Sequence, residues 1–256
     1  IIHDLEFLRF NEEPNTIAYK RVLLEEFSLL NICDEIIVHN GKMKEVLTNH
    51  GVDAAKMIEL GIFDYIIKDK ELKDNRKEKS AGIAIAGNLK IEKSGYIYKL
   101  PDNLSFVLYG ANFCEEKVMR NVKYRGSFYP DELVFELNEK FGLVWDGNSI
   151  DTCDGNYGEY LKYNNPHKTS LYLAGELPVI IWEQAALANF ILKNKIGIVI
   201  GSLNEIDEKI KNLSEDEYRE LKNNAIAFSK KIRTGYFMKT AIKKSIDQLK
   251  VSEGKI

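Results

Sequence analysis

Short apolar runs bounded by Gly, Pro and Asn alternate along the chain with segments whose apolar residues recur every three or four positions. The runs read as buried strands and the periodic segments as amphipathic helices. Ile17, Val22, Leu23, Phe27 and Leu30 predict a helix over 16–32. A strand over 35–39, a helix over 41–50 closed by Gly51, and a strand over 56–61 follow. A second pattern opens at Ala81 with a strand over 82–87, a turn at Asn88-Leu89-Lys90 and a short helix through Tyr98. Further strands are predicted over 104–109, 122–128, 142–145, 177–182 and 196–200. Helices over 130–140, from Asn165-Pro166 to about Gly175, and up to Asn194 separate the later ones. Residues 202–250 read as almost entirely helical, broken near Gly235-Tyr236-Phe237. Strands alternating with helices predict parallel, doubly wound sheets.

Between the two patterns, 64–79 is dominated by lysines and acids and reads as a linker. The expected organisation is therefore a Rossmann-like unit over 1–78 and a second over 79–235, with the helix 236–256 rejoining the first. Ile1-Ile2-His3-Asp4 reads as the end of a buried strand entering a loop. Its sheet partners are expected upstream of Ile1, a natural N-terminal edge strand being the alternative.

Composition narrows the class of protein. With 45% hydrophobic and 29% charged residues, the 256-residue chain can bury real cores. A net charge of −3 gives no general attraction to nucleic acid, and no apolar run reaches the length of a spanning helix. Cys33, Cys114 and Cys153, odd in number and far apart, argue for a reducing cytoplasm over a disulfide framework.

Candidate chemistry concentrates in 163–187. Asn165 and Pro166 read as a helix start, cap followed by first-turn proline. Lys168, Thr169 and Ser170 fall in the first turn, where unpaired N–H groups and the helix dipole favour an anion. A lysine is disfavoured there without one. Glu183 stands at the carboxyl edge of the strand over 177–182, where ligands of open α/β sheets bind. A diphosphate site beside a carboxylate suits a nucleotide-sugar. The loop after Trp145 lacks EF-hand spacing, and its Cys153, like His167, has no partner at zinc-site spacing, so no metal site is expected.

The stretches Phe141-Gly142-Leu143-Val144-Trp145-Asp146-Gly147, IDTCDGNYGEYLKYNNPHKTSLYLAGELPVIIWEQAALANFI and IRTGYF resemble a group of bacterial GT-B glycosyltransferases. The group includes the accessory-secretion glucosyltransferase 3 proteins and β-1,6-galactofuranosyltransferases. The resemblance runs from His3-Asp4 to about Phe237, and its specific part is 141–191. It implies a GT-B fold, a UDP-sugar donor held by the C-terminal unit, a glycan acceptor on the N-terminal unit, and catalysis without a bound metal or other cofactor. Lys168, Thr169, Ser170, Leu171, Tyr172 and Leu173 match the segment that wraps the donor diphosphate, and Asn88 a donor-facing loop. The basic residue expected nearby is Lys90 or Lys93. The chain departs from the family at Glu176, a usual glycine position.

Each site residue carries a second reading. Asn165 caps the helix or touches the donor, with His167 beside it. Glu183 holds the ribose or makes an ion pair. Tyr109 and Gly110 flank the donor, or Tyr109 covers the core. Asp4, with His3 orienting it, is the expected base, or else it caps a turn. Asp146, Asp151, Asp154 and Glu159 are the alternative acids. The lysines between 209 and 250 read as solvated surface, with peripheral membrane contact as the alternative, and homo-oligomer formation stays open. The expected function is hexose transfer from UDP-glucose, UDP-galactose or UDP-galactofuranose to a glycan hydroxyl on a glycoprotein or polysaccharide precursor. The alternatives are a silent partner of a transferase and a nucleotide-sugar epimerase.

Overall fold

The structure is a computed structural model that describes residues 1–9, 16–67, 80–117, 119–252 and 254. The N-terminal part holds a two-stranded parallel sheet, β1 (Ile36–Val38) beside β2 (Met57–Glu59). The helices Ile17–Ile32 and Gly41–Asn49 belong to this part. Both start on a side chain that accepts from the first turn, Thr16 from Tyr19 N–H and Asn40 from Lys42 and Met43 N–H. Ile2 is not in a strand. Its N–H donates to the Ile37 carbonyl, so the opening residues lie along β1 by a single backbone bond.

The larger part is a six-stranded parallel sheet in the order β5-β4-β3-β6-β7-β8. The strands are β3 (Ser80–Ala86), β4 (Phe106–Tyr109), β5 (Val122–Tyr124), β6 (Glu139–Val144), β7 (Val179–Trp182) and β8 (Gly197–Ile200). The strand order reverses between β3 and β6, which creates a crevice at their carboxyl ends. β7, the part of β6 from Phe141 onward and most of β3 are apolar on both faces, as a sheet covered by helices on either side requires. Helix His167–Ala174 lies against β6 so closely that a Cβ on Gly142 would stand 2.1 Å from the Tyr172 ring.

The last helix, Tyr236–Ser252, returns to the N-terminal part. Ala241 is buried with Ile37, Ile58, Leu60 and Phe63, and the Asp64 carboxylate accepts from Phe237 and Met238 N–H at its start. The linker reading falls in part on residues 68–79, which lie outside the described residues.

Further sequence expectations change, and the strand expected over 122–128 stops at Tyr124. The helix expected to reach Lys140 ends at Glu136, and β6 begins at Glu139. The polar Asn138-Glu139-Lys140 looks helical, but the buried Glu139 carboxylate accepts the Tyr109 hydroxyl at 2.9 Å and belongs to the sheet. The loop after Trp145 contains a helix, Gly155–Tyr160. Gly158 permits it, since a Cβ there would lie 2.7 Å from the Cys153 carbonyl carbon. The 202–250 segment breaks twice, at 212–214 and 233–235.

Glu176 has φ +61°, so the position does take the left-handed backbone that glycine tolerates best. Glu176→Gly is expected to stabilise the fold by about 0.5–1 kcal/mol, read as a rise in urea midpoint. A fall in the midpoint would mean that the ion pair of the Glu176 carboxylate with Lys222 outweighs the strain.

Candidate active site

A cleft of about 400 Å³ opens over the strand-order reversal. Its floor is Ala86 and Gly87 at the end of β3, with Asp146 after β6. Gly87 has φ +135° and lies against Gly110, where a Cβ would stand 1.7 Å from the Gly87 carbonyl oxygen. Glycine at 110 therefore lets the two strand-end turns touch and leaves Gly87 facing the cleft. One wall comes from the turn Asn165-Pro166 with His167 and Lys168, and another from the opening segment, His3, Asp4 and Arg9.

Lys168 is the central cation. Its Nζ donates to Asp146 Oδ1 at 2.7 Å and to the Trp145 carbonyl at 2.9 Å, with side chains 10% and 6% exposed for Lys168 and Asp146. An ammonium has three donors, and these two bonds use two of them. Burial pulls the Lys168 pKa down and Asp146 opposes that shift. Helix His167–Ala174 has Pro166 at its cap position and no side-chain cap; Thr169 N–H donates to the Pro166 carbonyl, while the His167 and Lys168 N–H groups receive no cap from a side chain. Lys93 enters from the helix Ile91–Ser94, its Nζ 5.2 Å from the centre of the Tyr157 ring, and Arg9 reaches the same ring at 6.0 Å. The cations Arg9, Lys93 and Lys168 face the carboxylates Asp4 and Asp146, leaving one positive charge in surplus. The helix terminus adds roughly half a charge more.

Asp4 projects into the cleft, 46% exposed, and pairs with Arg9 at 2.9 Å. The Tyr160 hydroxyl accepts from Leu5 N–H and also hydrogen-bonds Asp4; burial, with the Asp4 charge behind it, holds that phenol well above its ordinary pKa. Phe63 stacks on His3 and His167 and meets the His39 ring edge-on.

Several sequence-derived sites are corrected. Asn165 is not a cap. It is 2% exposed, its Nδ2 donates to the His39 and Gly61 carbonyls, and its Oδ1 accepts from Asn40, so it bolts the turn before the helix His167–Ala174 to the N-terminal part. Ser170 donates to the Phe63 carbonyl, while the buried Thr169 hydroxyl has no partner among the described residues. The side chains of Leu171, Tyr172 and Leu173 belong to the core, and Tyr172 accepts from Ala86 N–H. Tyr109 is likewise a core residue bonded to Glu139, and Gly110 lies against Gly87 of the cleft floor. Asn88 is exposed and braces its turn by accepting from Lys90 N–H and Asn112. Of the two basic residues considered there, Lys93 lines the cleft and Lys90 does not. Glu183 is exposed at the carboxyl edge of β7, beside Gly201 and outside the cavity. Asp154 closes its own loop on Asn148 and Ser149 N–H, and Glu159 pairs with Lys162. Among the described residues no group of three or more His, Cys, Asp or Glu is placed to hold a metal ion. No described helix is long and apolar enough to cross a membrane.

Sequence reasoning missed Arg9, His39, Tyr157 and Tyr160, which line the cleft, and Asn40, which holds Asn165. Asn40 carried a readable signal, a helix cap directly after a buried strand.

Burial pushes the His39 pKa from 6.5 down to about 4, and His167 is lowered for the same reason. The unfolded chain binds protons at these rings that the native one refuses, so their contribution is present above pH 6.5 and lost as pH falls toward 4. For His39 the loss is on the order of 3 kcal/mol. It is read as the difference between wild type and His39→Gln in urea melts from pH 7.5 to 4.5. Glu26, Glu35, Asp64 and Glu139, all raised by burial, titrate in the opposite sense and cancel in that difference. Parallel pH curves for the two proteins would contradict it.

Comparison with known proteins agrees with this geometry. The glucosyltransferase 3-like C-terminal domain family matches residues 83–245 and its N-terminal counterpart matches 1–62. The β-1,6-galactofuranosyltransferase WbbI of Escherichia coli K12 is 38% identical over 98% of this chain and 71% of its own length. Glucosyltransferase 3 of Streptococcus parasanguinis is 26% identical over 96% of the chain and 69% of its own. Among solved structures, Anabaena HepE in complex with UDP and glucose superposes with a TM-score of 0.60 at 14% identity, covering 97% of this chain and 70% of that one. The lipopolysaccharide outer core galactosyltransferase WaaB gives 0.54 at 14% identity, covering 84% and 62%. These structural likenesses show the GT-B fold. The chain belongs to the glucosyltransferase 3-like family of glycosyltransferases.

Proposed function

We propose that the chain transfers a hexose from a UDP-sugar to a hydroxyl of a glycan on a glycoprotein or polysaccharide precursor. The observation that carries this reading is the cleft at the strand-order reversal, where Lys168, Lys93 and a helix start without a side-chain cap line about 400 Å³ together with Asp4. The donor diphosphate lies against the helix start, with the third Lys168 donor and Lys93 on its oxygens. Glu183, one strand further along the same edge, takes the ribose hydroxyls. Asp4 accepts the proton of the acceptor hydroxyl as its oxygen bonds to the anomeric carbon. The bond from that carbon to the phosphate oxygen breaks, and UDP leaves with its new charge held by the cationic wall. No step requires a metal, since fixed protein charge stabilises the leaving group. Free Cys33, Cys114 and Cys153 accord with the reducing cytoplasm, where UDP-sugars are made.

UDP release measured with and without a glycan acceptor tests the reading. Acceptor-dependent release is expected. Conversion of the donor alone would indicate an epimerase, and tight UDP binding without turnover a silent partner.

A further inference from the structure

The imidazole of His39 joins the two walls of the cleft. It follows β1 and is 2% exposed. The N–H of Asn165 donates to its Nδ1 at 3.0 Å. That bond requires Nδ1 to be unprotonated, so the ring proton sits on Nε2, which donates to the Ile2 carbonyl at 3.2 Å. One nitrogen thus holds the turn that opens the helix His167–Ala174. The other holds the chain immediately before His3 and Asp4. Phe63 contacts this ring at 4.8 Å and stacks on His167 at 4.5 Å and on His3 at 6.0 Å, so the two walls also share one aromatic wedge.

Resting on the transferase reading above, we propose that His39 is a positioning residue: its two ring nitrogens, one bonded to each wall, set the spacing between the Asp4 carboxylate and the diphosphate site. The supporting geometry is local and specific. An apolar residue at 39 would leave the Asn165 N–H and the Ile2 carbonyl without these partners. Around the ring, Asn165 Nδ2 binds the His39 and Gly61 carbonyls at 2.7 and 3.2 Å, and Asn40 Nδ2 binds Asn165 Oδ1 at 2.8 Å. These amide bonds are fixed framework. Tyr160 holds the Asp4 segment by accepting from Leu5 N–H, but the imidazole bonds that segment and the Asn165 turn with one ring. The link requires the neutral ring. Burial keeps it neutral, with the Ile2 bond and Asp4 opposing and His167 and His3 reinforcing the shift.

Two substitutions separate the nitrogens. His39→Asn retains an acceptor near the Nδ1 position and is too short to reach Ile2. His39→Gln retains a donor near the Nε2 position and loses the acceptor for Asn165. UDP Kd by calorimetry, kcat at saturating donor in the acceptor-dependent assay, and Tm are measured for both. His39→Asn is expected to hold UDP within about twofold of wild type and lower kcat about tenfold; His39→Gln is expected to weaken UDP about tenfold with the smaller change in kcat. The inference is overturned if both variants shift Kd and kcat in the same proportion, if neither shifts either, or if either fails to fold. In the last case the imidazole is a fold determinant, not a positioning group. Wild type that neither binds UDP nor transfers would instead refute the transferase reading and this inference with it, an outcome visible before any variant is made.

Discussion

Lys168→Met is expected to cost about 3–5 kcal/mol of folding stability, because it strands the buried Asp146 carboxylate without its partner. It is also expected to weaken UDP binding by roughly 10- to 100-fold, the worth of one charge-assisted hydrogen bond to phosphate. The two losses have different causes and separate in a double variant. Lys168→Met with Asp146→Asn removes the uncompensated charge, so the urea midpoint should recover most of the loss. UDP affinity, measured by calorimetry, should not recover, since the amide supplies no cation. Recovery of both would mean that Lys168 serves only to neutralise Asp146. Recovery of neither would mean that Asp146 has a structural role beyond the pair.

Asp4→Asn should lower kcat by about 10²–10⁴-fold, the usual contribution of a general base, while UDP affinity stays near that of wild type. The substitution keeps the size of the side chain and the exposed partnership with Arg9 contributes only about 0–1 kcal/mol, so Tm should barely move. A large fall in Tm with unchanged kcat would reassign Asp4 to anchoring Arg9 and the short helix Glu6–Arg9, and leave the base to be sought elsewhere. Loss of UDP binding would overturn the division between a donor wall and an acceptor wall.

The parallel sheet was legible because its strands are short apolar runs between glycines and prolines, as in residues 82–87 and 177–182. Lys168 was legible because a lysine in a first helical turn opposes the dipole and asks for an anion. Asn165 was misread because capping logic is local. Its partners His39, Asn40 and Gly61 lie more than 100 residues away in sequence, and only the folded chain brings them to it. Tyr109 stood between flanking the donor and covering the core, and Glu139, 30 residues on, draws its hydroxyl into the core. The choice between Lys90 and Lys93 needed the helix Ile91–Ser94, whose start turns Lys93 toward Tyr157. Leu171, Tyr172 and Leu173 matched a donor-wrapping segment by position, yet a helix against β6 sends those side chains into the core. A family match in sequence therefore located the segment, and packing decided which of its atoms reach the cleft.

A crystal structure of the chain with UDP tests the central claim most directly. The diphosphate is expected between Gly87, Lys93 and the first turn of the helix His167–Ala174, with an oxygen within hydrogen-bond distance of Lys168 Nζ. Phosphates bound away from that turn, or Lys168 still turned wholly to Asp146 and Trp145 with no phosphate contact, would contradict it.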